Sequence, residues 1–326
     1  MPTPGVESRL KGGLWGEVVG DLLGLSFQFK TRDEIEEIFK TPDEVKPLRG
    51  LWSDDTSLTL ATADALVKTN PTGKNFKEAL VAIAENFIRW YRDGDFTPTG
   101  YAFDIGNTTR EAIKRLMKGI PPTEAGGRGE RDNGNGSLMR ILPAAYWAYF
   151  KMGTLEEKLN FIHSVSSITH AHPRSLLGCG IYSLVVWNIL EGNTKGVAVE
   201  KSLKEAYDFY SQREEFKEEL KHYGRLFDGS LFNLGKEEIS TSGYVVHTLE
   251  AALWGFLKFN TFERTLKEMV HLGGDADTVG AVVGSLAGTY YGFEAIPPDW
   301  LKMVEKRELV EEIIEKFVNT ILDFKR

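Results

Sequence analysis

Apolar residues recur along this chain with the period of a helix. Val279, Val282, Val283, Leu286, Ala287 and Tyr290 fall at i, i+3, i+4, i+7, i+8 and i+11, which is one helix face. Gly280, Gly284 and Gly288 fall four apart on another face. A glycine inside a helix costs roughly 0.5–1 kcal/mol relative to alanine. Three in register predict that backbone or ligand comes very close there. Residues 8–25 repeat the arrangement, with Leu10, Leu14, Val18 and Leu22 as the apolar stripe and Gly12, Gly16, Gly20 and Gly24 as a glycine ridge. Both helices are expected to be central and tightly packed.

Shorter helical patterns fill the rest. They cover 32–40, the stretch after Ser53 with Leu60, Ala63, Leu66 and Val67, residues 75–92, and a segment opened by Asp104. Others run from Ser137 through Phe150, over 154–167 and over 171–191. Residues 197–223 are densely charged and read as surface helices, and 242–258 as an apolar one. A last helix places Val310, Ile313, Ile314, Phe317, Val318 and Ile321 on one face. Residues 93–100, 120–137 and 224–241 read as loops. No stretch shows sustained period-two alternation, and there is no internal repeat or dividing linker. The expectation is an all-α fold, one compact many-helix domain over residues 1–326.

Two helix starts carry paired carboxylates. Gly273-Gly274-Asp275-Ala276-Asp277-Thr278 precedes the Val279 helix, and Ser53-Asp54-Asp55-Thr56 opens another. One aspartate at a helix start is explained by capping and by the helix dipole. A second, with an adjacent threonine and two glycines before it, asks for more. Asp104 is a further carboxylate expected at a helix start. Asp21 lies inside the first glycine-rich helix, where a buried carboxylate needs partners. It is either a hydrogen-bond hub or a neighbour of a site.

Composition narrows the classes. The 326 residues are 42% hydrophobic and 26% charged, as in a soluble globular protein. A net charge of -8 argues against a nucleic-acid backbone binder. The lone Cys179 leaves no intrachain disulfide and fits a reducing compartment. The N-terminus lacks signal-peptide features, and the apolar run near Val279 is too short to span a bilayer. A cytoplasmic protein without membrane or nucleic-acid partners is expected.

Four carboxylates brought together could not all stay ionised without a cation. Oxygen ligands with hydroxyls beside them favour hard octahedral ions, Mg²⁺ or Mn²⁺. Two clusters suit two ions about 3.5–4 Å apart. Asn133-Gly134-Asn135-Gly136-Ser137 ends a glycine-rich loop that feeds a helix start, a form suited to cradle phosphate, though a flexible surface loop has equal claim. His170 and His172, two apart, do not share a helix face and make a metal clip unfavourable. Tyr244 follows Gly243 at a helix start, where its ring either faces a pocket or belongs to the core.

These stretches together resemble the ADP-ribosylglycohydrolases, the family of the dinitrogenase-reductase-activating glycohydrolase. The matching segments, in the family's order, are Gly20-Asp21-Leu22-Leu23-Gly24, Trp52-Ser53-Asp54-Asp55-Thr56, Asp104-Ile105-Gly106, Asn135-Gly136-Ser137-Leu138-Met139-Arg140, Thr169-His170-Ala171-His172-Pro173, Gly243-Tyr244-Val245 and Gly273-Gly274-Asp275-Ala276-Asp277-Thr278-Val279-Gly280. The resemblance implies an all-helical fold around two Mg²⁺ or Mn²⁺ ions. Ser53, Asp54, Asp55, Asp275, Asp277 and Thr278 would be the metal ligands, and Asp55 and Asp277 the catalytic carboxylates. The loop at Asn133, Gly134, Asn135, Gly136 and Ser137 would hold a diphosphate. Tyr244 would flank an adenine, while Gln28, Asp104, Gly106 and His170 would lie near the ligand. The implied activity is hydrolysis of the bond between the terminal ribose of an ADP-ribosyl group and a protein side chain or small conjugate. The alternatives are a non-catalytic ADP-ribose-binding or structural relative, and a Mg²⁺-dependent hydrolase of another nucleotide conjugate.

One departure bears on chemistry. Many relatives carry Glu where this chain has Gln28, and an amide cannot exchange a proton at neutral pH. Ser26 also replaces a common proline, and His247 stands where relatives often carry Asp.

Overall fold

The computed structural model describes residues 3–323. The chain opens with α1 (Val6–Leu25), α2 (Arg32–Ile38), α3 (Asp54–Thr69) and α4 (Lys77–Asp93). Next, α5 (Asn107–Met117) and the one-turn α6 (Pro122–Ala125) precede the glycine-rich loop. Beyond the loop come α7 (Leu142–Lys151), α8 (Leu155–Ser167) and α9 (Pro173–Leu190). The charged middle holds α10 (Lys195–Tyr210), α11 (Glu214–Lys217) and α12 (Gly224–Phe227). Then follow α13 (Val245–Lys258), α14 (Phe262–Val270), α15 (Ala276–Tyr291), α16 (Pro298–Lys302) and α17 (Arg307–Leu322). The fold is all-α. Among the described residues strand-like pairing is limited to isolated bridges. No helix of those residues is long and apolar enough to cross a membrane.

The two glycine ridges meet. α1 and α15 form the most extensive helix pair of the fold. Gly12 faces Gly288, Gly16 faces Gly284, Gly20 faces Gly280 and Gly24 faces Ala276, so the helices run antiparallel. A Cβ on Gly12, Gly16 or Gly20 would fall inside contact distance of the facing carbonyl oxygen. Backbone lies directly on backbone, which only glycine permits. This contact sets Asp21 of α1 opposite Asp277 of α15. Around the pair, the buried apolar residues form one contiguous cluster that includes Trp52, Phe87, Trp147 and Phe317.

Four expectations need correction. Residues 262–270 carry no element in the sequence reading, yet they form α14. There Phe262, Leu266, Met269 and Val270 are buried, and the Thr261 hydroxyl accepts from the Arg264 N–H at 3.1 Å. The helix expected from Ser137 to Phe150 divides into a 3₁₀ turn, Leu138–Arg140, and α7. Pro143 in the first turn of α7 has no N–H to give, so the division loses no helical bond there. Residues 224–241 contain α12 as well as two 3₁₀ turns. Asp104 does not open α5, because Gly106 is its N-cap and Asp104 sits upstream with a φ of 58°. Aspartate is one of the few non-glycine residues that visit this left-handed region readily.

Candidate active site

The two acidic helix starts converge through hydrogen bonds. Ser53 is the N-cap of α3, and its hydroxyl accepts from the Asp55 N–H at 3.3 Å. A second cap comes from α1. Asp21 Oδ2 accepts from the Ser53 N–H (2.9 Å), the Thr56 N–H (3.2 Å) and the Thr56 hydroxyl (2.6 Å), while Oδ1 accepts from the Ser53 hydroxyl (2.8 Å). Asp21 is therefore both a hub and a neighbour of the cluster. Across the gap, the Thr278 hydroxyl donates to Asp55 Oδ2 at 3.3 Å and ties α15 to α3.

Capping does not account for Asp275. It occupies the N-cap position of α15, but its side chain makes no cap bond. Instead Asp275 Oδ2 accepts from Asn135 Nδ2 at 2.6 Å. The two glycines before it explain that aim. Gly273 and Gly274 have φ of 68° and 67°. Together they turn the chain so that the Gly274 N–H meets the Lys30 carbonyl (2.9 Å) and the Asp275 N–H meets that of Thr241 (2.7 Å).

Asp21, Asp55 and Asp277 each bring a carboxylate oxygen within 4.8 Å of the others. Burial pushes the carboxyls of Asp54, Asp55 and Asp277 well above the usual range, and neighbouring aspartates push them further. Burial also lifts Asp21 to about 6, against the pull of its Thr56 and Ser53 hydrogen bonds. Asp275 is raised by burial, opposed by Asn135. Asp55 Oδ1 and both Asp277 oxygens are buried without a hydrogen-bond partner. Such orphaned acceptors carry a desolvation cost that a cation would remove. The donor set is wholly oxygen, which fits a hard divalent ion.

A cleft of about 390 Å³ opens beside the cluster. Of the residues singled out in the sequence, Asp54, Asp55, Asp275 and Thr278 line it on one side. Gln28, Asp104 and Gly106 lie along it, and Gly134, Asn135, Gly136 and His170 complete the wall. Gln28 Nε2 donates to Asp104 Oδ2 at 2.7 Å.

The remaining five are not among the residues that line the cleft. Ser53 and Asp277 are fully buried within the cluster. Asn133 is buried and accepts from the Ser175 hydroxyl at 3.0 Å. Ser137 is buried, and its hydroxyl lies 2.8 Å from that of Ser166. The Tyr244 hydroxyl accepts from Arg174 Nη1 at 3.2 Å. The loop is held by its backbone, with the Asn135 N–H on the Gly243 carbonyl (2.9 Å) and the Val245 N–H on that of Asn133 (3.0 Å). The N–H groups of Gly136 and Ser137 find no backbone acceptor among the described residues.

The chain matches known proteins along nearly its whole length. The family model for ADP-ribosylglycohydrolase matches residues 2–323. The chain belongs to the ADP-ribosylglycohydrolase family. The ADP-ribosylarginine hydrolase Tri1 of Serratia proteamaculans is 28% identical over 313 residues, 94% of this chain and 78% of that protein. The ADP-ribosyl-[dinitrogen reductase] glycohydrolase of Rhodospirillum rubrum is 29% identical, over 99% of this chain and 98% of that one. A solved ADP-ribosylglycohydrolase-related protein complex contains a chain that superposes with a TM-score of 0.74 at 30% identity, covering 97% of this chain and 98% of its own. This chain is a hydrolase of that family.

Asp21 and several residues along the cleft, among them Phe29, Asn107, Thr108, Thr109, Arg131 and Met139, were not singled out from the sequence as site members. Asp21 had a signal, since it lies on the glycine face of α1 that packs on α15. Phe29 also lines the cleft and is 75% exposed, with a φ of 62°. A bulky residue in that conformation is uncommon, and nothing in the sequence marks it.

Proposed function

We propose that this glycohydrolase cleaves the bond between the terminal ribose of an ADP-ribosyl group and a protein side chain or small conjugate, releasing ADP-ribose. Two divalent cations, Mg²⁺ or Mn²⁺, would be held by Asp54, Asp55, Asp275, Asp277 and Thr278, with Ser53, whose hydroxyl lies between Asp21 and Asp55. The observation that carries this is the set of orphaned buried oxygens on Asp55 and Asp277 beside the cleft. When bound, the metal supplies Lewis-acid charge that neutralises the carboxylates and polarises ribose hydroxyls and water.

The chain's own groups supply the rest. Gly134, Asn135 and Gly136 line the diphosphate end, with Asn133 and Ser137 flanking them in the loop. Tyr244, which pairs with Gly134 through the backbone, borders the adenine end in this assignment. The water oxygen bonds to the anomeric carbon as Asp55 Oδ1 or the Asp277 carboxylate accepts a water proton, the carbon–aglycone bond breaks, and the departing aglycone atom leaves with that proton. Gln28 takes no part in proton transfer, because an amide neither gains nor loses a proton at neutral pH; its Nε2 instead donates to Asp104.

Arginine is the first aglycone to test. Asp104, which stands outside the proposed ligand set, gives the cleft a carboxylate suited to a guanidinium. The names of the Serratia and Rhodospirillum relatives place ADP-ribosylated arginine and ADP-ribosylated dinitrogen reductase among the family's substrates. Gln28 favours a second reading, a non-catalytic ADP-ribose binder. Chromatography of products from arginine-linked and serine-linked ADP-ribosyl peptides, with Mn²⁺ and without, separates them. Free ADP-ribose from either linkage supports the hydrolase. Metal-dependent binding of ADP-ribose with no release from either favours the binder.

A further inference from the structure

Behind the cleft wall lies a chain of three polar side chains whose proton positions are dictated by their partners. Arg140 is fully buried just after the glycine-rich loop. Its guanidinium packs 4.8 Å from the Phe87 ring centroid, and its Nε and Nη1 have no hydrogen-bond partner. Nη2 donates to the Thr169 hydroxyl at 2.7 Å. That hydroxyl lies 2.9 Å from His170 Nδ1. A guanidinium only donates, so Thr169 Oγ1 must accept from it. Thr169 is fully buried, and among the described residues the acceptor for its own hydrogen is His170 Nδ1. An Nδ1 that accepts leaves the ring proton on Nε2.

The ring is fixed in position as well as in protonation. The His170 N–H donates to the Ser166 carbonyl at 2.8 Å, and its carbonyl accepts from the Ser166 hydroxyl at 2.8 Å. The Ala171 N–H and Thr169 carbonyl on either side pair with Gly127 at 2.8 and 2.9 Å. Nε2 has no protein partner among the described residues, and His170 lines the cleft. It lies against the loop: a Cβ on Gly136 would come 3.1 Å from Nε2, and one on Gly134 3.8 Å.

We propose that Arg140, acting through Thr169, locks His170 as a neutral Nε2–H donor that meets an anionic phosphate oxygen beside Gly134 and Gly136. The opposite tautomer would aim a lone pair at that oxygen and lose the bond. Arg140 and Thr169 are positioning residues, because neither lines the cleft. The phosphate half of the inference rests on the ADP-ribosyl reading above, whereas the tautomer half does not.

Nitrogen-15 NMR of histidine-labelled protein, with the signal assigned by His170→Gln, reads the tautomer directly. The wild-type chain should show a protonated Nε2 and a bare Nδ1. Thr169→Ser should keep that pattern, and Thr169→Val, which removes the Nδ1 partner, should let a population with a protonated Nδ1 appear. A hydrogen bond to a charged group carries a factor of roughly ten or more in affinity. Calorimetry should therefore show Thr169→Val binding ADP-ribose about tenfold more weakly or worse, and Thr169→Ser near wild type. For turnover the loss should fall on KM rather than kcat, because the bond is far from the reacting carbon. A protonated Nδ1 in the wild-type chain overturns the proposal, and so does a folded Thr169→Val with unchanged affinity. A wild-type chain with the expected tautomer but no affinity for ADP-ribose overturns the phosphate assignment alone, together with the functional reading on which it rests.

Discussion

The Asp21 carboxylate accepts both donors of Ser53, the N–H at 2.9 Å and the hydroxyl at 2.8 Å. A side chain from the middle of α1 thus caps α3, the helix that presents Asp54 and Asp55. Asp21→Asn keeps the shape but turns one acceptor into a donor that faces other donors. Stability should fall by about 1–3 kcal/mol in denaturant titration. Metal affinity should fall about 10–100-fold, the usual cost of disturbing groups that orient ligands. Unchanged metal affinity would show that Asp21 does not position the cluster.

The α1–α15 contact makes its own prediction. Helix propensity alone would favour Gly284→Ala by about 1 kcal/mol. The new methyl would instead strike the Gly16 carbonyl, which no rotamer change can relieve. A net loss of about 1–3 kcal/mol is expected from overpacking. Gly196→Ala in α10, where nothing lies within 4 Å of the added methyl, should be neutral or slightly stabilising. Equal effects at the two sites would contradict the backbone-on-backbone contact.

That contact was legible in the sequence because mid-helix glycines at fixed spacing have few other causes. The acidic helix starts were legible for a similar reason, since two carboxylates exceed what one cap needs. Other features were not. α14 was missed because Glu263, Arg264, Lys267 and Glu268 dilute its apolar residues, although Phe262, Leu266 and Met269 keep helical spacing. Asn133 and Ser137 share the loop with Gly134 and Gly136, but sequence could not tell which of them would line the cleft. Phe29 faces the cleft only because its backbone is left-handed, which its residue type does not announce.

Proton binding by the cluster gives a pH dependence of defined sign. The carboxyls of Asp54, Asp55 and Asp277 sit well above their ordinary value of 3.8 in the folded chain, and Asp21 sits at about 6. A raised carboxyl stabilises the fold below its unfolded value, and that contribution is lost as pH rises through the folded one. The metal-free protein should therefore lose stability from about pH 4 upward. Metal competes with those protons, so its stabilising effect should grow over the same interval. Buried His163 and His170, both held near 3, act oppositely below pH 6.5 but do so equally with and without metal. The difference in Tm between Mn²⁺ and EDTA samples should be larger at pH 8 than at pH 5. A constant difference would place the metal elsewhere.

Phe29 offers an exposed ring on the cleft wall. Phe29→Ala removes little buried surface, so stability should stay within about 0.5 kcal/mol. Loss of an aromatic contact to ligand should weaken ADP-ribose binding about three- to tenfold by calorimetry. Wild-type affinity in the variant would leave the ring without a role in binding.

Asp277→Ala removes two buried oxygens that lack partners. Metal content by mass spectrometry and ADP-ribose release should both be lost, with release down at least about 100-fold. In EDTA near neutral pH the variant should be no less stable than the parent, since a buried unpaired carboxyl is costly. Normal metal stoichiometry in the variant would remove Asp277 from the ligand set.

The most direct test of a metal-dependent glycohydrolase is one preparation followed through metal removal and return. Free ADP-ribose released from an arginine-linked ADP-ribosyl peptide is measured before EDTA, after EDTA and dialysis, and after Mn²⁺ or Mg²⁺ is added back. Release that disappears with EDTA and returns with the ion is the expected result. Release that persists undiminished in the stripped protein would contradict a metal held by Asp55 and Asp277 as part of the catalytic site.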